Sequence, residues 1–166
     1  MSGDIVNPVG ELLQVGDIAL DVDVSTKPAL LQRVAAMLAE RRGMTAKEVF
    51  DSLAAREELG STALGHGVAI PHARMAQCGV PAAVFVRTKF GIPFDAPDGK
   101  PVSFFLGLLV PQQANERHLK LLAAAAAMFG DRGFRDQLRA SMDPTAVSTL
   151  IATWHSPASV QPRAAS

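Results

Sequence analysis

The sequence predicts an α/β fold, with a mixed central β-sheet flanked by helices on both faces. One observation is the order of the elements, in which a strand is followed by two helices, several strands and then helices again. The other is size, because 166 residues, of which 48% are hydrophobic, can bury the core of one ordinary domain. We expect that domain to span residues 10–155, with an N-terminal extension at 1–9 and a disordered tail at 156–166.

The charge and cysteine content exclude several functional classes. Sixteen basic and sixteen acidic residues give a formal net charge of zero, so the chain lacks the electrostatic footprint of a non-specific nucleic-acid-binding protein. The single cysteine, Cys78, cannot form an intramolecular disulfide, and no Cys/His cluster has the spacing of a structural zinc site. The sequence shows neither a secretion signal nor about 18 consecutive apolar residues, so we expect a cytoplasmic protein without membrane insertion.

The first elements are predicted to be a strand and two capped helices. Apolar and polar residues alternate over residues 18–24, which indicates a half-buried strand. Ser25 and Thr26 can cap a helix that Gly43 ends, because a hydroxyl oxygen accepts from free amides and glycine tolerates the left-handed conformation. Thr45 and Glu48 have the spacing of a capping box, which predicts that a second helix begins there.

The next segment combines a glycine loop with a histidine at the end of a strand. Residues 59–67 contain three glycines and two hydroxyl residues, which is typical of a loop with positive backbone angles and accessible amides. Residues 68–70 form a short apolar strand that leads into Pro71 and His72. Because proline cannot donate a ladder hydrogen bond, we expect Pro71 to end the strand and His72 to lie at the sheet margin.

The second half of the chain is predicted to supply the centre of the sheet and the remaining helices. Residues 82–89 and 102–110 are rich in β-branched and aromatic residues, and the second run looks buried on both faces. A Pro-, Asp- and Gly-rich connection joins them as a long turn. Three further helices are predicted at residues 115–128, at residues 131–140, and from Asp143 and Pro144 to about residue 154.

The four histidines are the main candidates for chemistry at neutral pH, because imidazole nitrogens accept a proton, a metal or a phosphoryl group. His72 and His118 are predicted to have rigid settings, at a strand end and in the first turns of a helix. His66 lies in the glycine loop, and His155 begins the tail. Because the glycine loop adjoins His72 in sequence, we expect backbone amides and an imidazole to meet at an anion-binding site.

Other interpretations of the glycine loop fit the sequence less well. A nucleotide-binding P-loop ends in Gly-Lys-Ser/Thr, whereas this loop ends in Gly-His-Gly at residues 65–67. The glycine spacing of a dinucleotide-binding fold is absent, and the loop follows a helix and precedes a strand, which is the reverse order. A metal site at His66 and His72 would need a third ligand, and no acidic or sulfur residue has a convincing spacing. We therefore predict no metal and no cofactor.

Residues 56–72, REELGSTALGHGVAIPH, resemble the phosphohistidine motif of the fructose/mannitol-type enzyme IIA domains of the bacterial phosphoenolpyruvate-dependent phosphotransferase system (PTS). The motif combines an arginine with acidic residues, a Ser-Thr pair, two spaced glycines and the sequence Ala-Ile-Pro-His. A downstream segment, HLKLLA at residues 118–123, resembles the histidine-bearing helix of the family. The resemblance covers residues 10–154 and implies the PTS enzyme IIA fructose/mannitol-type fold.

Within that family the chain is most similar to the stand-alone nitrogen-regulatory enzyme IIA. The similarity includes the sequences FDSL at residues 50–53 and FDAPDG at residues 94–99. Sugar-specific relatives are commonly fused to permease components or encoded with them, and these 166 residues carry no attached IIB or IIC segment. One departure from the family pattern is His66, which we expect to be a solvated loop residue.

The resemblance implies a role for five residues. His72 would accept a phosphoryl group on Nε2, while a backbone carbonyl would hold Nδ1 and fix the tautomer. His118 would lie beside His72 and donate to the phosphoryl oxygens, and loop amides near Ser61 and Thr62 would help to bind them. Arg56 is the candidate cation, and its alternative role is an ion pair with Glu57, Glu58 or another acidic residue.

The implied function is that of a phosphoryl-accepting regulatory protein, phosphorylated on His72 by an HPr-like histidine phosphocarrier protein. Its phosphorylation state would regulate target proteins such as potassium transporters, sensor kinases or stress regulators, because a phosphoryl group adds close to two negative charges. The alternative is a sugar-specific enzyme IIA that passes phosphate to a IIB component of a permease. A third interpretation, a binding module with a degenerate site, is disfavoured by the intact His72 and His118.

Overall fold

The computed structural model describes residues 7–113 and 116–155, so the predicted tail and the first six residues of the extension lie outside the described chain. The described residues form helices and strands in an order that the sequence predicted in outline. In chain order they are α1 (Pro8–Leu12), β1 (Ile18–Val22), α2 (Lys27–Arg42), α3 (Ala46–Glu58), β2 (Ala63–Gly65), β3 (Val68–Ala69), β4 (His72–Met75), β5 (Ala82–Ile92), β6 (Val102–Pro111), α4 (Glu116–Gly130), α5 (Arg132–Ala140) and α6 (Pro144–Thr153).

The ends of α2 and α3 are set by the residues that the sequence indicated. Thr26 Oγ1 accepts a hydrogen bond from the Ala29 amide at 3.2 Å, and Gly43 ends α2 in the left-handed conformation with φ of 65°. At the start of α3, the Thr45 and Glu48 side chains each accept from the other residue's amide. The capping box prediction is therefore confirmed, and it fixes where the polypeptide turns between the two helices.

The sheet is mixed and is centred on β5 and β6, which pair antiparallel. Its strand order is β1-β5-β6-β3-β2, and β4 also pairs with β6. The β1 strand runs parallel to β5, β3 and β4 run parallel to β6, and β2 runs antiparallel to β3. Eight of the ten residues of β6 are buried, which confirms that this strand is covered on both faces.

Two hydrophobic clusters cover the two faces of the sheet. One cluster joins α2 and α3 to the sheet through residues such as Leu30, Leu53 and Phe105. The other joins α1, α4, α5 and α6 to the opposite face and includes Phe85 and Phe129. The predicted arrangement, a sheet flanked by helices on both faces, is therefore confirmed. No helix in the described ranges is long and apolar enough to cross a membrane.

Two short strands near the glycine loop were not predicted. Gly65 pairs with Val68 across a two-residue turn, in which His66 and Gly67 both have positive φ angles of 57° and 78°. Positive angles at both central residues characterise the tight hairpin turn that matches the twist of a sheet, so part of the predicted loop is a β-hairpin. The signal that was missed is the pair His66-Gly67 between two short runs of apolar residues, because a glycine in the second position is typical of such a turn.

The second missed strand, β4, begins at His72. Pro71 cannot donate to the ladder, as predicted, but its carbonyl accepts a hydrogen bond from the Leu108 amide at 2.9 Å. The chain therefore continues alongside β6 after the proline, and His72 pairs with Leu108. His72 is therefore the first residue of β4 and not the residue that follows β3. Its backbone is paired with β6 at the centre of the sheet.

Helix α1 was also not predicted, because it spans only five residues. Asn7 caps it, and the side-chain Nδ2 of Asn7 also donates to the Ile151 carbonyl at 2.7 Å. Val9 is fully buried in the cluster that α4 and α6 share. These tertiary contacts stabilise a helix too short to form by itself in water.

Candidate functional site

The imidazole of His72 is held by the backbone just before it. Its Nδ1 lies 2.8 Å from the Ile70 carbonyl oxygen. Since a carbonyl only accepts hydrogen bonds, Nδ1 must carry the proton that joins the two atoms. In the neutral ring this arrangement leaves Nε2 with a lone pair, which makes Nε2 the nucleophilic atom.

The surroundings of His72 favour the neutral ring. Burial lowers the pKa of His72 below its ordinary value, and the positive charges of Arg56 and Arg74 lower it further. The Ile70 carbonyl and the Glu57 carboxylate act in the opposite direction and do not overcome these effects. The lowered pKa therefore favours the neutral ring, which is the state that a nucleophilic imidazole requires.

An open cavity of about 390 Å³ lies at His72, and two arginines line it. Arg74 lies two residues after His72 in the same strand, so both side chains leave the same face of β4. Arg56 comes from the last turn of α3. Together they make the cavity suited to an anion, because guanidinium groups bind phosphoryl oxygens with several directed N–H donors. Arg74 was not among the predicted site residues, although its two-residue spacing from His72 was a usable signal.

Arg56 is positioned by the loop that follows its helix. Its Nη1 donates to the Gly60 carbonyl at 2.9 Å. Within the described part of the chain it forms no ion pair within 4.0 Å, so the alternative role in a pair with Glu57 or Glu58 is not what the structure contains. The guanidinium group keeps further N–H donors for a ligand in the cavity.

The hydroxyl groups of Ser61 and Thr62 are used within the protein. Ser61 Oγ donates to the Phe94 carbonyl at 2.6 Å and accepts from the Ala63 amide at 3.1 Å. The amide and the hydroxyl of Thr62 both donate to the Glu57 carboxylate. These groups therefore join the loop to Phe94 and to Glu57 of α3, and they hold its shape beside His72.

Glu57, which receives both Thr62 donors, is a buried carboxylate behind the site. Only 4% of its side chain is exposed, and Lys27 Nζ lies 3.0 Å from its Oε1. The same ammonium lies 3.4 Å from Asp95 and 4.5 Å from the ring centre of Phe94. A buried charge of this kind is costly without partners, and here a lysine and two hydrogen bonds compensate it. From the sequence, Glu57 was predicted only as a possible ion-pair partner of Arg56.

His118 lies on the same side of the sheet as His72. Paired residues of neighbouring strands direct their side chains to one face, and Leu108, the partner of His72, packs in the cluster that contains Leu121 of α4. His118 is in the first turn of α4 and is buried. It lines a second cavity, of about 580 Å³, whose walls include Arg117 and Leu121. The two histidines therefore share a sheet face and line different cavities.

The remaining histidines lie apart from this cavity. His66 is exposed, as predicted, and its amide donates to Asp98 Oδ2 at 2.8 Å. Asp98 Oδ1 accepts from the Lys100 amide, so this carboxylate ties the hairpin turn to the connection between β5 and β6. His155 is exposed at the end of the described chain. Among the described residues, no group of three or more His, Cys, Asp and Glu side chains could hold a metal ion.

Comparisons with known proteins identify the family of this chain. The family model described as "Phosphoenolpyruvate-dependent sugar phosphotransferase system, EIIA 2" matches residues 11–154. A nitrogen regulatory protein of Pseudomonas aeruginosa is 39% identical over 142 residues, which cover 85% of this chain and 92% of the relative. A nitrogen regulatory protein of Bradyrhizobium diazoefficiens is 37% identical over 145 residues, which cover 87% of this chain and 95% of the relative.

A solved structure gives the same result. The crystal structure of the nitrogen regulatory protein IIA-Ntr from Neisseria meningitidis superimposes with a TM-score of 0.83 at 39% identity. The match covers 87% of this chain and 99% of that chain. Matches of this length confirm the resemblance that the histidine motif suggested. The chain belongs to the EIIA 2 family of the phosphoenolpyruvate-dependent sugar phosphotransferase system.

Proposed function

We propose that this chain is a phosphoryl-accepting regulatory protein of the nitrogen-related phosphotransferase system, phosphorylated on His72 Nε2 by an HPr-like histidine phosphocarrier protein. The observation that carries the proposal is the 2.8 Å contact between Nδ1 and the Ile70 carbonyl, which leaves Nε2 as the free nucleophile. The similarity to nitrogen regulatory proteins supports the regulatory role. The arginines that line the same cavity, Arg56 and Arg74, support the choice of an anionic group.

The proposed transfer forms one nitrogen–phosphorus bond and breaks another. The Nε2 lone pair of His72 forms a bond to phosphorus while the bond from phosphorus to the donor's ring nitrogen breaks. The donor ring keeps the electron pair of the broken bond and leaves as neutral imidazole when its other nitrogen carries a proton. The Nδ1 proton of His72 stays on Nδ1, in its hydrogen bond to the Ile70 carbonyl. The phosphorylated ring is therefore an imidazolium, and the carbonyl stabilises its charge. Such a transfer depends mainly on positioning and charge stabilisation.

The other candidate residues would support the transferred group in different ways. Arg56 and Arg74 would stabilise charge on the phosphoryl oxygens from the cavity wall. His118 would contribute from α4, on the sheet face that it shares with His72. Ser61 and Thr62 would act through the loop that their hydrogen bonds hold in shape.

The regulatory effect would come from the change of charge at the mouth of the cavity. Phosphorylation adds close to two negative charges beside two arginines, which changes how an interface around His72 attracts a partner. Targets such as potassium transporters or sensor kinases would then distinguish the phosphorylated form from the free form.

The direct test is phosphorylation in vitro with phosphoenolpyruvate, enzyme I and the histidine phosphocarrier. We expect acid-labile label on the wild-type chain and on a His66→Ala variant, which removes an exposed histidine of the same segment. We expect no label on His72→Ala. Label that survives His72→Ala, or no label on the wild type with an active carrier, would refute the proposal.

The family description names a sugar phosphotransferase system, so a sugar-specific enzyme IIA is the second candidate function. The two functions share the first transfer and differ in the acceptor. The labelled protein can therefore be chased with a purified IIB domain of the fructose or mannitol type. Retention of the label supports the regulatory role, and rapid loss of the label to IIB favours the transport role.

A further inference from the structure

The Glu57 carboxylate is connected to the His72 ring although it does not line the cavity at His72. The connection begins at Thr62, whose amide donates to Glu57 Oε1 at 3.2 Å and whose hydroxyl donates to Oε2. Both carboxylate oxygens therefore hold the same loop residue. Because the carboxylate belongs to the last turn of α3, this contact fixes Thr62 relative to the helix that also carries Arg56.

The connection continues through the backbone. The Thr62 carbonyl accepts from the Ile70 amide at 3.1 Å. The Ile70 carbonyl, on the other side of the same residue, accepts from His72 Nδ1 at 2.8 Å. Glu57, Thr62, Ile70 and His72 thus form one continuous series of hydrogen bonds. A shift of Thr62 would change the orientation of Ile70 and, with it, the acceptor that fixes the His72 tautomer.

The carboxylate itself is held in place by a charge from another helix. Lys27, in the first turn of α2, contacts Glu57 Oε1 at 3.0 Å, and its ammonium is only partly exposed. Lys27 also contacts Asp95, which belongs to the connection between β5 and β6. The position of Glu57 is therefore set by two helices and by the loop, which makes it a rigid anchor for Thr62.

We propose that Glu57 is a positioning residue for phosphoryl transfer at His72, acting through Thr62 and Ile70 to keep His72 in the Nδ1–H tautomer. The inference rests on the proposed function of His72. In the other tautomer Nε2 carries the proton and has no lone pair with which to attack phosphorus. Loss of the Glu57 carboxylate would therefore reduce the reactive population without removing any group that touches the phosphoryl donor.

The first test measures the tautomer itself and needs no phosphorylation. The full chain, labelled with ¹⁵N-histidine, is compared by NMR as wild type, Glu57→Ala, Glu57→Gln and Glu58→Ala. Glu58 is the exposed neighbour and serves as the matched control. We expect Glu57→Ala to lower the ratio of the Nδ1–H to the Nε2–H tautomer by about two- to tenfold. This is the change in an equilibrium that corresponds to the net strength of one ordinary hydrogen bond. Glu57→Gln, which keeps an acceptor for the Thr62 amide, should recover part of the ratio.

A second variant keeps the inference testable if Glu57→Ala does not fold. Thr62→Val removes the hydroxyl contact and retains both backbone hydrogen bonds, so it should change the ratio in the same direction by a smaller amount. A merely structural role predicts a different result: the melting temperature would fall while the tautomer ratio stayed at the wild-type value. That result in a folded Glu57→Ala or Thr62→Val variant would overturn the proposal.

The transfer rate provides the second readout. With phosphorylated carrier protein as donor, we expect Glu57→Ala to accept label more slowly at saturation, by no more than the factor by which the tautomer ratio falls, with little change in the carrier concentration at half-maximal rate. Glu58→Ala should behave as the wild type. A wild-type rate in Glu57→Ala would overturn the inference. If the wild type accepts no label but Glu57→Ala still shifts the tautomer, the proposed function fails while the connection from Glu57 to His72 stands.

Discussion

The centre of the sheet and the segment that presents His72 are stabilised by different interactions. In β5 and β6, residues such as Phe85 and Leu106 are fully buried, and apolar contact dominates. The segment at residues 60–72 depends on hydrogen bonds to side chains outside it, namely those to Glu57 and Asp98. Apolar contacts do not require a particular orientation of the groups in contact, whereas hydrogen bonds are directional. The centre thus supplies the stability, and the segment supplies the geometry of the site.

The largest effect should follow from a change in the centre. Phe85 is fully buried and stacks on Phe129 with ring centres 6.2 Å apart. We expect Phe85→Ala to lower the free energy of unfolding by about 3–5 kcal/mol, since it removes buried surface and leaves a cavity. Phe90 is the control in the same strand, because 68% of it is exposed and its replacement by alanine should change stability by less than about 1 kcal/mol. Equal losses for the two variants in urea unfolding would contradict the assigned difference in burial.

A smaller loss is expected where the sheet centre meets α2. A Cβ added at Gly107 would lie 2.4 Å from Val34 Cγ1 and 3.1 Å from Val84 Cγ2, which is too close for either valine to remain in place. Gly107→Ala should therefore cost about 1–3 kcal/mol through overpacking. Gly130→Ala is the control, because nothing lies within 4 Å of its added Cβ. Thermal unfolding of both variants gives the comparison, and a stable Gly107→Ala protein would show that the helix can move away from the sheet.

Changes at the site should affect protonation more than stability. Burial is the main cause of the lowered pKa of His72, and Arg56 and Arg74 add to it. We expect the His72 pKa to rise in an Arg56→Gln, Arg74→Gln double variant, because two positive charges are removed while the burial remains. NMR titration of the ring measures this change, and Arg132→Gln, at an exposed position outside the cavity, is the control. A fall in the His72 pKa would contradict the proposed electrostatics.

The lowered pKa of His72 also determines whether the stability of the protein rises or falls with pH. Because the folded pKa of His72 is lowered, the unfolded chain binds a proton at a higher pH than the folded one does. The contribution of His72 to stability is thus present above the unfolded pKa of about 6.5 and is lost as the pH falls through the folded pKa. Since the arginine double variant raises the folded pKa, it should lose less stability than the wild type between pH 7 and pH 5. A larger loss in chemical unfolding would contradict this sign.

The smallest effect is expected at the hairpin turn. His66 has a φ of 57°, and its side chain is exposed. His66→Gly should change the free energy of unfolding by less than about 1 kcal/mol, because glycine relieves the left-handed strain but raises the entropy of the unfolded chain. Labelling at His72 should stay at the wild-type level. Loss of labelling in this variant would show that His66 contributes to the site and is not only a turn residue.

The sequence predicted most of the helices and the two central strands, because their signals are local. Caps such as Thr26 and Thr45 act within one turn of the helix that they begin, and the apolar runs at β5 and β6 carry the pattern of buried strands. It missed β2 and β4, which consist of few residues and exist through pairing with β3 and β6. Pairing of that kind joins residues distant in the chain, so no short window of sequence contains it.

Only part of the candidate site, like part of the fold, could be predicted from the sequence. The motif around His72 and the family followed from the resemblance of residues 56–72 to a known signature. The sequence did not indicate that Glu57 holds Thr62 and Lys27, because acidic neighbours of Arg56 suggested an ion pair with that arginine. Lys27 lies 30 residues before Glu57, and only the packing of α2 against α3 brings the two charges together.

The sequence by itself determined the α/β class, the ends of α2 and α3 and the identity of the histidine motif. These depend on contacts between residues close in the chain, which follow from local composition and spacing. The tertiary structure decided which nitrogen of His72 is free, which arginines face it and which carboxylate anchors its loop. Those properties depend on distances and directions between atoms from separate elements, and such distances are set only when the sheet and its two layers of helices pack together.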